Sequence, residues 1–131
     1  MKKSFLYWSP ALVWTGILMY FTLLPGNSVP SYLIEFDDLF LHWAMYLTTF
    51  SAYYFAVKGS GFPFKINKKS VIIIAVFCVV LGGILEIIQE TLIPNRDGSL
   101  RDELANTAGI LTALTLITIH SKWVAQRAVE H

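Results

Sequence analysis

Apolar positions along this chain fall into four long blocks, each closed by a short polar stretch. A helix needs about 20 mainly apolar residues to cross a hydrocarbon core about 30 Å thick. The blocks at about 5–24, 39–57, 71–93 and 104–120 reach or approach that length. The pattern predicts an all-α integral membrane fold, a compact bundle of four transmembrane helices making one domain over residues 1–131. In the first block Trp8, Trp14 and Tyr20 are candidate interface anchors. Pro10 is expected near the start of that helix, where a missing N–H costs least. The connections carry turn chemistry: 25–38 holds Gly, Asn, Ser and Pro with Glu35, Asp37 and Asp38. Residues 58–69 hold Gly59, Gly61, Pro63 and four lysines, and 94–101 hold Pro94, Asn95 and Gly98. Lys2 and Lys3 precede the first block as in a secretory signal, but the block is long and aromatic. It ends at Pro25 and Gly26 without a small-residue cleavage site, so a retained first span is expected.

Composition strengthens the membrane reading. The chain is 55% hydrophobic and 15% charged, with a mean hydropathy of +0.56, where an ordinary soluble domain is about 25% charged. A net charge of +1 supplies no global basic field, so nucleic acid is not an expected partner. Cys78 is the one cysteine, which excludes an internal disulfide and suits a small core residue. Charge then orients the bundle. In a four-span arrangement Lys2, Lys3, Lys58, Lys65, Lys68, Lys69, Lys122 and Arg127 share one side, while Arg96 and Arg101 lie on the other. Cytoplasmic loops carry the excess of Lys and Arg, so both termini and the middle loop are expected in the cytoplasm. The polar hairpin 94–101 and the acids Glu35, Asp37 and Asp38 are then expected at the outer surface.

Polar residues inside the blocks recur at helical steps. Asp38, His42, Tyr46, Thr49 and Tyr53 form one stripe; Glu86 has Gln89 and Glu90 nearby; Asp102, Asn106 and Gly109 share a face, with Ala113 a turn deeper. Lipid would make such stripes costly, so they should face one another. Glu86 is the sharpest signal, since a charge at that depth costs about 2.5–3.5 kcal/mol on insertion scales. It must be protonated, paired or open to water. Gly82, Gly83, Gly109 and Ala113 would let helices approach closely. Glu86 then serves either as interhelical glue, to Arg96, Arg101 or His42, or as part of a functional site.

Candidate binding residues are His42, Glu86, Gln89, Arg96, Ser99, Asp102 and Asn106. Candidate catalytic residues are Glu86 and Asp102, whose acid–base roles would need separated pKa values, and His42 as an alternative base. Beside two carboxylates His42 is also a conceivable metal ligand. With no HExxH, no CxxC and no carboxylate–histidine pair recognised at metal spacing, neither metal nor cofactor is expected. His120 and His131 fall at the opposite, cytoplasmic end. Arg96 and Arg101 either fork onto a phosphate or carboxylate, or snorkel and pair with Asp97, Asp102 or Glu103. The run Ser99-Leu-Arg-Asp102 matches a capping box and marks the start of the last helix.

The polar pattern Asp38-x-x-x-His42-x-x-x-Tyr46, then Glu86-x-x-Gln89, then Arg96-x-x-Ser99-x-x-Asp102-x-x-x-Asn106-x-x-Gly109 resembles the VanZ-like family, small bacterial membrane proteins named for an accessory protein of glycopeptide-resistance clusters. The resemblance spans about residues 38–113. Family members usually have lysine after the aspartate, and here that position is Leu39. The resemblance implies a multi-pass protein of the bacterial cytoplasmic membrane and a link to lowered susceptibility to teicoplanin, a lipid-tailed glycopeptide. Three functions follow: a non-enzymatic protein binding membrane lipid, a lipid-linked cell-wall precursor or a lipoglycopeptide in an outward polar cleft; a hydrolase or transferase on a lipid-linked envelope substrate; or an interaction subunit. Four spans leave little room for a transport path unless the chain forms a homo-oligomer.

Overall fold

The computed structural model describes residues 2–29, 37–61, 63 and 65–128; Glu35 and the C-terminal His131 lie outside them. The described chain is all helical: α1 (Lys2–Thr22), a single 3-10 turn (Gly26–Ser28), α2 (Asp38–Ser60), α3 (Lys68–Leu92) and α4 (Leu100–Arg127). Four long helices stand where the four apolar blocks predict them.

Capping chemistry fixes their ends. The Asp37 carboxylate accepts from the N–H groups of Leu39 and Phe40 at 2.9 and 3.3 Å and starts α2. Gly61 ends it in the left-handed region, φ 65°, donating its N–H to the Val57 carbonyl. Asn67 and Ser70 form a reciprocal capping box at the start of α3. The last helix is longer than its apolar block at both ends. Ser99 caps it and Asp102 and Glu103 suit the positive end of its dipole, so the helix begins before the apolar residues do. Beyond His120, no Gly or Pro interrupts it before Arg127.

Two expectations for α1 change. The helix begins at Lys2, so Pro10 lies well inside it, and the Leu6 carbonyl loses its usual donor. The Ser9 hydroxyl donates to that carbonyl instead, at 3.2 Å. Trp8 and Trp14 are also more than interface anchors. Trp8 Nε1 donates to Ser60 Oγ at 3.1 Å and Trp14 Nε1 to Thr49 Oγ1 at 3.0 Å, which ties α1 to α2 along its length. Thr15 and Tyr53 add a hydroxyl pair at 2.9 Å.

Helix α2 is the centre of the bundle, packed on α1, α3 and α4. Its approach to α4 is set by Gly109: a Cβ there would run into the Trp43 carbonyl oxygen and crowd the Leu47 nitrogen. Backbone therefore rests on backbone, as small residues allow. Gly82 is similarly filled around, by Glu103, Asn106 and Tyr46, whereas Gly83 faces open space and contributes nothing to packing. Phe50, Leu18, Val57, Cys78 and Ile110 fill the interior, and Cys78 is fully buried as expected.

The outer faces are apolar. On α3 alone Ile72, Ile73, Val76, Phe77, Val80, Ile84 and Ile87 are exposed. Both α3 and α4 are long and apolar enough to cross a membrane, with mean hydropathies of 3.0 and 1.3 over their best stretches. Only 28% and 22% of those stretches are buried, unlike the mostly buried core helix of a soluble protein. Among the described residues α1 and α2 have the length but lower hydropathy; Trp8, Trp14 and Tyr20 in α1, and His42, Thr48 and Thr49 in α2, interrupt the apolar run.

Candidate functional site

The start of α2, the end of α3, and the loop and first turns of α4 meet at one end of the bundle. Gly98 makes the meeting possible, because a Cβ there would strike the Glu86 carbonyl oxygen; the loop backbone lies directly on α3. Asn95 turns that loop with φ 57°, a conformation asparagine tolerates better than most residues. The turn after α1 joins the same end, where Gly26 N–H donates to the Pro94 carbonyl at 3.2 Å.

Glu86 is the hub, 7% exposed. Its Oε2 accepts the Ser99 N–H at 3.2 Å, and its Oε1 accepts Asn106 Nδ2 at 3.5 Å. His42 Nδ1 lies 3.4 Å from the same Oε1. The Ser99 N–H is the one a full capping box would satisfy from Asp102; here another helix supplies the carboxylate. Asp102 is held differently: its Oδ2 accepts the Ser99 hydroxyl at 2.6 Å, while Ser99 Oγ accepts the Asp102 N–H at 3.1 Å.

Asn106 is fully buried and connects the rest. Its Nδ2 also donates to Glu103 Oε2 at 3.1 Å, and its Oδ1 faces His42 Nδ1 at 3.1 Å. His42 Nδ1 thus looks at two acceptors, Asn106 Oδ1 and Glu86 Oε1, and must carry a proton. Its other nitrogen, Nε2, points toward Asp38 Oδ1, 3.8 Å away and beyond hydrogen-bond length. The Asp38 side chain is 65% exposed and forms the mouth of a cluster whose other members are buried or half-buried.

His42, Glu86, Ser99, Asp102 and Asn106 therefore come together as expected. Gln89 does not join them: its Nε2 donates to the Thr22 carbonyl at 3.0 Å and closes the last turn of α1. Neither arginine pairs with Glu86 or with any carboxylate among the described residues, whose ion pairs both belong to His42. Arg101 is exposed, and Arg96 Nε is buried without a hydrogen-bond partner among the described residues.

Two members escape the site read from sequence. Glu103, half-buried over Gly82, hydrogen-bonds Asn106; its place three residues before Asn106 was the available signal. Asp38 belongs to the polar stripe, yet its partnership with His42 one turn later is a carboxylate–histidine pair that motif reasoning passes over. Together with Asp102 they bring one ligand atom each within 4.8 Å of one another. Chemically the cluster is rich in acceptors (four carboxylates, an amide oxygen and an imidazole lone pair), with the guanidinium groups outside its hydrogen-bond network. It can orient hydroxyl, amide or ammonium donors, hold a cation, or keep a base in place; it is not an arginine cradle for a bare phosphate. Comparison of the chain with protein-family models, with characterised proteins and with solved structures finds no match.

Proposed function

We propose that this chain is a VanZ-like, multi-pass protein of the bacterial cytoplasmic membrane, with four spans and both termini in the cytoplasm. Its polar cluster at the outer end binds the polar part of an envelope lipid, a lipid-linked cell-wall precursor or a lipoglycopeptide. The observation that carries this reading is the convergence of Asp38, His42, Glu86, Asp102 and Asn106 from three helices onto one partly open cluster. Interhelical glue alone would need fewer groups, and would gain nothing from a carboxylate left at a solvent-facing mouth. The acceptor-rich lining favours sugar hydroxyls, amides and amines over a free phosphate. The motif resemblance supports the envelope setting and the link to teicoplanin.

The test is binding in lipid nanodiscs. Titration with lipid-linked cell-wall precursor and with teicoplanin should give saturable binding to at least one, weakened at least tenfold in Glu86→Gln at equal folded yield. Absence of saturable binding to either ligand would remove the reading. A second reading, a hydrolase or transferase on a lipid-linked substrate, is favoured by one observation: His42 is anchored through Nδ1 with Nε2 free toward the mouth, as a general base requires. Product formation by wild type that is lost in His42→Gln at equal folded yield would establish it.

A further inference from the structure

We infer that Asp38, His42 and Asp102 form a binding site for a first-row divalent cation of the zinc or manganese type. Each residue offers one ligand atom, and these atoms all lie within 4.8 Å of one another. Ligands about 2.0–2.2 Å from a zinc ion stand roughly 3–4 Å apart. The His42–Asp38 separation of 3.8 Å already meets that spacing, and the separations to Asp102, within 4.8 Å, would contract slightly around a bound ion.

The surroundings are what separate this cluster from a chance group of acids. A metal-binding histidine ordinarily gives its other N–H to an acceptor that fixes its tautomer and orientation. His42 does so through Nδ1, toward Asn106 Oδ1 at 3.1 Å and Glu86 Oε1 at 3.4 Å. Its residue is 8% exposed, and the remaining nitrogen, Nε2, has no hydrogen-bond partner among the described residues. A lone pair facing the Asp38 carboxylate at the mouth gains nothing from it unless a proton or a cation lies between. Asp102 is prepared in the same way, with Oδ2 held by the Ser99 hydroxyl at 2.6 Å so that Oδ1 remains for a ligand. Glu86 and Asn106 stand behind His42, and Ser99 behind Asp102.

Donor type selects the ion. One imidazole and two carboxylates suit zinc or manganese; magnesium and calcium prefer all-oxygen sets. Three protein ligands leave a coordination position open at the mouth beside Asp38, where a water or a substrate oxygen would sit. This goes beyond the lipid-binding reading and does not depend on it, since the ion is assayed by itself.

Full-length protein without a polyhistidine tag, stripped with EDTA in nanodiscs, would be dialysed against zinc chloride or manganese chloride and its metal content measured. One equivalent per chain is expected. Asp38→Asn, at an exposed position, should weaken binding at least tenfold, and His42→Gln should abolish it. His120→Ala with His131→Ala should leave it intact. The nitrogen NMR signal of His42 Nε2 should shift on zinc addition while the Nδ1 proton is retained. The inference is overturned by less than stoichiometric binding, by binding that survives in Asp38→Asn and His42→Gln, or by a His42 that holds both protons near neutral pH with zinc present.

Discussion

At Ser99 one side chain caps α4, fixes the Asp102 carboxylate at 2.6 Å and leaves its backbone N–H for Glu86. Loss of an N-cap hydroxyl costs about 1 kcal/mol, and here it also releases a buried carboxylate. Ser99→Ala should therefore lower the melting temperature of purified protein in detergent, and Ser99→Thr should recover most of it; equal melting of Ser99→Ala and wild type would contradict this geometry. Asn106 is more demanding, because it satisfies Glu86, Glu103 and His42 at once. Leaving buried polar groups unpaired costs about 1–3 kcal/mol each, so Asn106→Leu should melt lower than Ser99→Ala, and a milder effect would show that water substitutes for the amide. At this scale the cluster was largely legible: steps of three and four residues put His42, Glu86, Asp102 and Asn106 on facing stripes. Gln89 was not. It lies about 60° around the helix from Glu86, and its partner is the last turn of α1, whose position no pattern within α3 reveals.

Among the elements, the contact between α2 and α4 depends on Gly109, whose missing side chain leaves room for the Trp43 carbonyl. Gly109→Ala should push the two helices apart and reduce monodisperse protein severalfold by size exclusion. Gly83 offers the control. Nothing lies within 4 Å of a Cβ built there, so Gly83→Ala should match wild type or exceed it, since alanine favours a helix interior by about 1 kcal/mol. If both variants behave alike, the close approach at Gly109 is not what holds α4. The four helices themselves were readable because apolar blocks of this length leave few alternatives. The start of α4 was readable from its cap at Ser99; its far end was not, because the residues after His120 are mostly polar and look like loop. Pro10 misled for a related reason: it suggests a helix start, whereas Ser9 repairs the carbonyl it strands and lets the helix begin earlier.

On the scale of the whole molecule, apolar side chains cover the outside of α3 and α4 while polar groups concentrate at one end and lysines at the other. An orientation with the Glu86 end outward predicts labelling by an impermeant thiol reagent. In a Cys78→Ser background, Asn27→Cys and Asp97→Cys should label on intact cells, whereas Lys65→Cys and Lys122→Cys should label only after permeabilisation. The reverse pattern would put the cluster in the cytoplasm and remove an outer-leaflet ligand. What composition and charge could not reveal is how deeply the site is enclosed, since that depends on Gly98 letting the loop lie on α3. Under the proposed function, the cluster acts on an envelope ligand rather than merely holding helices together. Its most direct measurement is teicoplanin susceptibility, with vancomycin alongside, in a sensitive Gram-positive host expressing wild type, Glu86→Gln or no protein, with membrane levels matched by blot. Wild type should protect against teicoplanin, and Glu86→Gln at equal abundance should not. Equal protection by both proteins would show that the cluster is not what protects, and protection by neither would remove the link to teicoplanin.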